Sequence, residues 1–184
     1  MASAAKRLLT ADEFLAIEFP TDTKAELDNG VIKMMSGGTG SHARVQRNVQ
    51  FALQSKLRET GCSAWGPDMA VRTHQLSIRY PDVSVFCGRD GIENDKLKAF
   101  DDPKLVVEVL SPSTRDEDEN EKLHEYCVIS SLDVIVHIDP DAQTLRLLTR
   151  TDSGGWTDQI IDDDLDIMLK SLGVTLTRAE IFAR

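Results

Sequence analysis

Aromatic residues are scarce in this chain of 184 residues, at 5%, and cysteine occurs only three times. Cys62, Cys87 and Cys127 contain no CxxC pair and are odd in number. That argues against a zinc site or a disulfide framework, so three free thiols in a reducing compartment are expected. No apolar run approaches the roughly 18 residues a membrane span needs. The stretch Met1 to Arg7 carries basic residues with no apolar segment behind them, so no signal peptide is expected. A Gly-x-Ser-x-Gly elbow is absent, which speaks against a serine hydrolase built on Ser111 or Ser113. Positive charge is short as well: 21 Lys and Arg face 31 Asp and Glu, for a net charge of −10. Strong non-specific nucleic-acid binding usually leaves a basic footprint. Much of the acid is local, however, at Asp116 to Glu121 and Asp162 to Asp166, and Arg44, Arg47, Lys56, Arg58, Arg72 and Arg79 leave room for a basic patch. The expectation is a soluble cytoplasmic protein of ordinary globular composition.

What the chain does have is clear punctuation. Thr10-Ala11-Asp12-Glu13 is a capping box and predicts a short helix over 11–19. Two alternating runs flank Asn29-Gly30 and predict a hairpin. After the turn Ser36-Gly37-Gly38-Thr39-Gly40, which has no phosphate-loop spacing, Ser41 reads as the cap of a long helix over 42–59. Val45, Val49, Ala52, Leu53 and Leu57 form its buried stripe. Strands are expected at 64–72, 76–87 and 104–110, with a polar loop from Arg89 to Asp102. A second capping box, Thr114 to Glu117, predicts a helix to about Val128 with Leu123 and Cys127 facing inward. A strand at 134–138, a hairpin at 143–149 and 156–161, and a helical turn capped by Thr177 complete the series. Strands and helices mixed in this order argue for one α/β domain, a central mixed sheet with flanking helices. The expected boundaries are an N-terminal helix and hairpin at 9–36, a core at 41–140, and a C-terminal hairpin and turn at 143–184.

Two acids stand out. Glu108 lies inside the apolar strand Leu105-Val106-Val107-Glu108-Val109-Leu110, where an ionised carboxylate costs several kcal/mol unless satisfied. Asp82 opens the strand Val83-Ser84-Val85-Phe86 after Pro81. Consecutive strands usually neighbour one another, so both carboxylates can reach one hard cation, with the Val109 carbonyl as a further oxygen.

The pair Pro81-Asp82 followed by Glu108 in Val-Val-Glu-Val-Leu resembles the PD-(D/E)xK nuclease superfamily. Ser111-Pro112-Ser113-Thr114 with Asp118, Lys122 and Tyr126 resembles, more narrowly, the Uma family of bacterial restriction-endonuclease-like proteins. The hairpin at Glu26 to Gly30, His42 and Asp139-Pro140 fit the same pattern. The resemblance implies a restriction-endonuclease-like fold and Mg²⁺-dependent hydrolysis of phosphodiesters, with Mn²⁺ as a substitute, nucleic acid (DNA foremost) as substrate, and a homodimer by analogy. Asp82 and Glu108 would hold the metal and Lys122 would assist the attacking water. Glu26, His42, Ser111, Asp118 and Tyr126 would support them. One departure concerns the cation: Leu110 stands where the superfamily lysine should be, and Lys122 on the following helix takes its place. A second lies in strand 134–138, where the family often has an aromatic and this chain has Val136 and His137. His74, His124 and His137 show no metal-ligand spacing. Two readings stand at this point, a metal-dependent nuclease and a catalytically silent binding or assembly module that retains the fold.

Overall fold

The computed structural model describes residues 7–89, 91–111, 115, 117–162 and 166–184. The chain opens with α1 (Ala11–Leu15), the hairpin β1 (Ala25–Asp28) and β2 (Val31–Met34), and the long helix α2 (Gly40–Lys56). Five strands follow: β3 (Cys62–Trp65), β4 (Ala70–His74), β5 (Ser77–Arg79), β6 (Val83–Cys87) and β7 (Ala99–Phe100). Next come β8 (Leu105–Val109), a π-helical stretch Glu117–Lys122 running into α3 (Leu123–Cys127), and β9 (Val134–Asp139). The end of the chain adds β10 (Thr144–Arg150), β11 (Trp156–Ile161), β12 (Ile167–Leu169), β13 (Val174–Leu176) and α4 (Arg178–Ile181).

The central sheet has six strands in the order β11-β10-β9-β8-β6-β3, antiparallel except for the parallel pair β8 and β9. A second sheet of five strands, β2-β1-β5-β4-β7, was not anticipated as separate. Two expected strands break to make it. The run 64–72 is interrupted at Gly66, whose carbonyl accepts from the Met69 N–H, so β3 joins the central sheet and β4 the other. The run 76–87 divides at Pro81, which has no N–H for a ladder, so β5 and β6 also belong to different sheets. Tyr80-Pro81-Asp82 is therefore the crossing between them.

Strand alternation sorts the core into two faces. Leu105, Val107 and Val109 of β8 pack with Val45, Val49, Leu53 and the C-terminal elements. Val106 lies on the opposite face with Phe86, Ile135 and Tyr126, and Glu108 shares that face. A third cluster joins Phe14 and Ala11 to Leu27 and Ile78.

Capping at Thr10 and Thr177 forms as expected. The hairpin turn places Asn29 and Gly30 at φ 47° and 81°, the positive values a two-residue turn needs. Four expectations are corrected. The first helix stops at Leu15, well before Phe19-Pro20, where a residue preceding proline resists helix. The cap of α2 is Thr39, whose hydroxyl accepts from His42 N–H, while Ser41 bonds Thr39 and Asp141 instead. The loop 89–102 contains β7, paired parallel to β4. Cys62 and Cys87, directly opposite across β3 and β6, form a disulfide, and Cys127 alone is free. Sequence spacing held no sign of that pairing, because it is created by strand register. The expected cap Thr114 lies outside the described residues, as does Ser113.

Candidate functional site

The crossing from β5 to β6 delivers Asp82 to the end of β8. Asp82 Oδ2 accepts from the Val109 N–H at 2.7 Å and lies 3.2 Å from His42 Nε2. The Asp82 N–H points back at Glu108 Oε2, 3.4 Å away. The two strand-borne acids thus converge, one from each neighbouring strand.

Glu108 is 3% exposed. Its Oε1 accepts from the Tyr126 hydroxyl at 2.7 Å and lies 3.7 Å from Lys122 Nζ. Burial pushes the Glu108 carboxyl well above its ordinary value, opposed by the Lys122 ammonium and reinforced by Asp118 and Asp82. Lys122 is itself buried, with Nζ 3.1 Å from Asp118 Oδ1 and 3.3 Å from Glu26 Oε1. Burial works against its charge, but Glu108, Glu26 and Asp118 together outweigh that and hold the ammonium above its usual range. A lysine held this way is a fixed cation and not a proton acceptor.

Glu26, Asp118 and Tyr126 therefore join the site through direct contacts. His42 enters from the first turn of α2, where a Cβ on Gly38 would lie 2.8 Å from its ring. The hydrogen bond to Asp82 raises the His42 pKa against the opposing effect of burial. Ser111 is buried just beyond β8, where its carbonyl accepts from Arg115 N–H. Leu110 is buried, and its N–H bonds Ile138. The strand thus carries no cation two residues after Glu108, while Lys122 of the Glu117–Lys122 stretch places an ammonium 3.7 Å from that carboxylate.

One participant was misread in the sequence. Arg79, counted among candidates for a surface patch, is fully buried and pairs with Glu125 at 2.7 Å, Asp28 at 2.8 Å and Glu26 at 3.4 Å. Burial disfavours its charge, and Glu125, Glu26 and Asp28 raise its pKa regardless. Glu26 thereby joins two buried cations, Arg79 and Lys122. The alternation in Leu27-Asp28 next to Glu26 gave no hint of this, because the partners lie about 50 and 100 residues on. His137 sits opposite Glu108 in the β8–β9 register and is buried. Burial first, then Arg146, lower its pKa to about 4, so the ring is neutral at neutral pH.

Two carboxylates with a backbone carbonyl nearby are hard oxygen donors of the kind Mg²⁺ takes, completed by water. Among the described residues no group of three or more His, Cys, Asp or Glu side chains is disposed to hold a metal. An ion held by one or two carboxylates and completed by water needs no such group. A cleft of about 620 Å³ opens on this point, lined by Asp82, His42, Gln46, Lys24 and the Ser36–Gly38 turn. Among the described residues no helix is long and apolar enough to cross a membrane.

A mixed sheet with a strand-borne Glu beside an Asp from the neighbouring strand, and a lysine in contact, defines a restriction-endonuclease-like protein. The chain matches over residues 11–179 the Uma2 family model, described as "Putative restriction endonuclease", and it belongs to that family. Two Synechocystis proteins are similar. The uncharacterized protein sll1609 is 29% identical over 140 residues, 76% of this chain and 79% of its own length. The uncharacterized protein slr1290 is 27% identical over 168 residues, 91% and 87% of the two chains. A solved structure from Anabaena variabilis, titled a putative nuclease belonging to DUF820, superposes with a TM-score of 0.76. It covers 95% of this chain and 98% of that one at 21% identity, a likeness of fold.

Proposed function

We propose that this protein is a divalent-metal-dependent nuclease that hydrolyses phosphodiester bonds, with DNA as its foremost substrate. The observation that carries the reading is the convergence of Asp82, Glu108 and Lys122, with Asp82 on the lining of the cleft and the other two buried behind it. Asp82 and Glu108 would hold Mg²⁺, or Mn²⁺ in its place. When bound, the ion supplies a more acidic water and neutralises charge on the phosphoryl group. The protein's own residues do the rest. Tyr126 fixes the rotamer of Glu108 through its 2.7 Å hydrogen bond. Glu26 and Asp118 hold the Lys122 ammonium beside Glu108, where its charge orients water and stabilises the developing negative charge. Arg79 in turn anchors Glu26. The proposed compartment is the cytoplasm, beside the substrate, where the Cys62–Cys87 bridge faces a reducing thiol pool.

The test is cleavage of supercoiled plasmid and single-stranded DNA with Mg²⁺ or Mn²⁺, comparing wild type with Glu108→Ala. Metal-dependent cutting that disappears in the variant supports the reading. Equal cutting by both proteins, or none by either, overturns it and favours a binding module that retains the fold.

A further inference from the structure

The 620 Å³ cleft does not end at Asp82. Thr23, Lys24, Met35 and Pro67 line it, and the same four residues line a second, smaller cavity of about 130 Å³. That cavity has an aromatic lining, contributed by Phe19 and Tyr80. Phe19 leans on Phe14 with ring centroids 5.5 Å apart, and the Tyr80 N–H is pinned by Glu26 Oε1 at 2.9 Å. The first contact braces the Phe19 ring, and the second fixes the backbone that carries Tyr80. Tyr80 and Asp82 are separated by Pro81 alone, so their Cα atoms lie within about 7 Å of each other. An aromatic-walled recess thus sits about one nucleotide's reach from the phosphodiester site.

Electrostatics restrict what can lie in the cleft. Among the described residues Lys24 is the single lysine or arginine on either lining, and its Nζ sits 2.8 Å from Asp68. Asp22 and Asp68 stand exposed on the rim. A duplex presents two rows of phosphates, and these walls give the second row acids to face. One strand, with its phosphate at the metal-binding acids and its base turned inward, avoids that repulsion. Aromatic walls suit a base of any identity, because every base offers a π-face.

We infer that the recess between Phe19 and Tyr80 receives one unpaired base, so that the site acts on single strands, flaps or extruded nucleotides rather than on continuous duplex. The inference rests on the nuclease reading of the Asp82–Glu108 site. Bases inside a duplex are stacked and must be extruded to reach such a recess, at a cost of a few kcal/mol.

The test uses a single-stranded oligonucleotide carrying 2-aminopurine, whose fluorescence falls on stacking, bound to the full chain in Ca²⁺. Binding should quench the probe, and an unlabelled blunt duplex of the same sequence should compete about tenfold less well than the unlabelled single strand. Phe19→Ala, which removes a wall, and Thr23→Leu, which fills the recess from its rim, should each weaken binding about tenfold. Thr23→Leu leaves the Phe14–Phe19 packing in place, so its result stands if Phe19→Ala fails to fold. No quenching, equal competition by the duplex, or wild-type affinity in Thr23→Leu would overturn the inference. Cleavage is scored separately in Mn²⁺. Cutting without quenching removes the recess and leaves the nuclease, whereas quenching without cutting removes the nuclease and leaves the recess.

Discussion

Replacing Lys122 by Met removes the cation that three buried carboxylates share. Its Nζ lies 3.1 Å from Asp118, 3.3 Å from Glu26 and 3.7 Å from Glu108, with all four side chains less than a tenth exposed. Met matches the length of the stem, so packing changes little and the electrostatic loss dominates. Breaking a buried pair by removing one partner costs about 3–5 kcal/mol, which for a chain of this size lowers Tm by about 6–20 °C. The loss carries a pH signature. Glu108 has a folded-state pKa raised by burial above its ordinary 4.5. In the window above that value the folded protein retains a proton that the unfolded chain has released. Its contribution to stability is therefore complete below about pH 4.5 and is lost as pH rises through the folded-state value. Without Lys122 that value moves higher still. The gap in Tm between wild type and Lys122→Met should be small near pH 4.5 and widen toward neutral pH, read by calorimetric or fluorescence melts across the range. A variant within a degree or two of wild type at neutral pH, or a gap that ignores pH, would mean that Lys122 does not compensate the buried carboxylates.

Three further outcomes are expected. Tyr126→Phe deletes the buried hydrogen bond to Glu108 and should cost about 1.5–3 kcal/mol in urea unfolding; an unchanged midpoint would mean that Tyr126 only fills space. Mg²⁺ at a hundred times its Kd should add about 2.7 kcal/mol, a rise in Tm of about 5–11 °C. Asp82→Asn should abolish that rise, and a persisting rise would place the ion elsewhere. Arg44 and Arg47 stand exposed on α2, the helix that brings His42 to Asp82, and neither is engaged by a described residue. Replacing both with Ala should flatten the salt dependence of single-strand binding by about 1.4 in log–log slope; an unchanged slope would remove them from the interface.

Much of the site was legible because its acids break local rules. A Glu in the middle of Leu-Val-Val-Glu-Val needs a reason, and Asp82 after a proline at a strand start supplies a neighbour. The helix spacing of Asp118, Lys122 and Tyr126 was equally readable, and all three reach the site as a set. Arg79 was not legible: an arginine in Ser-Ile-Arg looks like any half-exposed strand residue until Glu26, Asp28 and Glu125 surround it from distant segments. The sheet count was missed for a similar reason. Propensity reads 76–87 as one strand, whereas Pro81 ends one ladder and lets the chain cross to another sheet. That crossing positions Asp82, so the feature hardest to read was also the one that builds the site. The Cys62–Cys87 bridge likewise depends on register, which spacing does not encode.

The most direct measurement is single-turnover cleavage of one labelled oligonucleotide in Mn²⁺ by wild type, Asp82→Asn, Glu108→Gln and Lys122→Met, with metal binding followed on the same samples by calorimetry. The two carboxylate variants should lose metal binding and cleavage together. Lys122→Met should still bind metal but cleave about a hundredfold or more slowly. Wild-type cleavage by Glu108→Gln, or by Lys122→Met when folded, would contradict a site built on these residues.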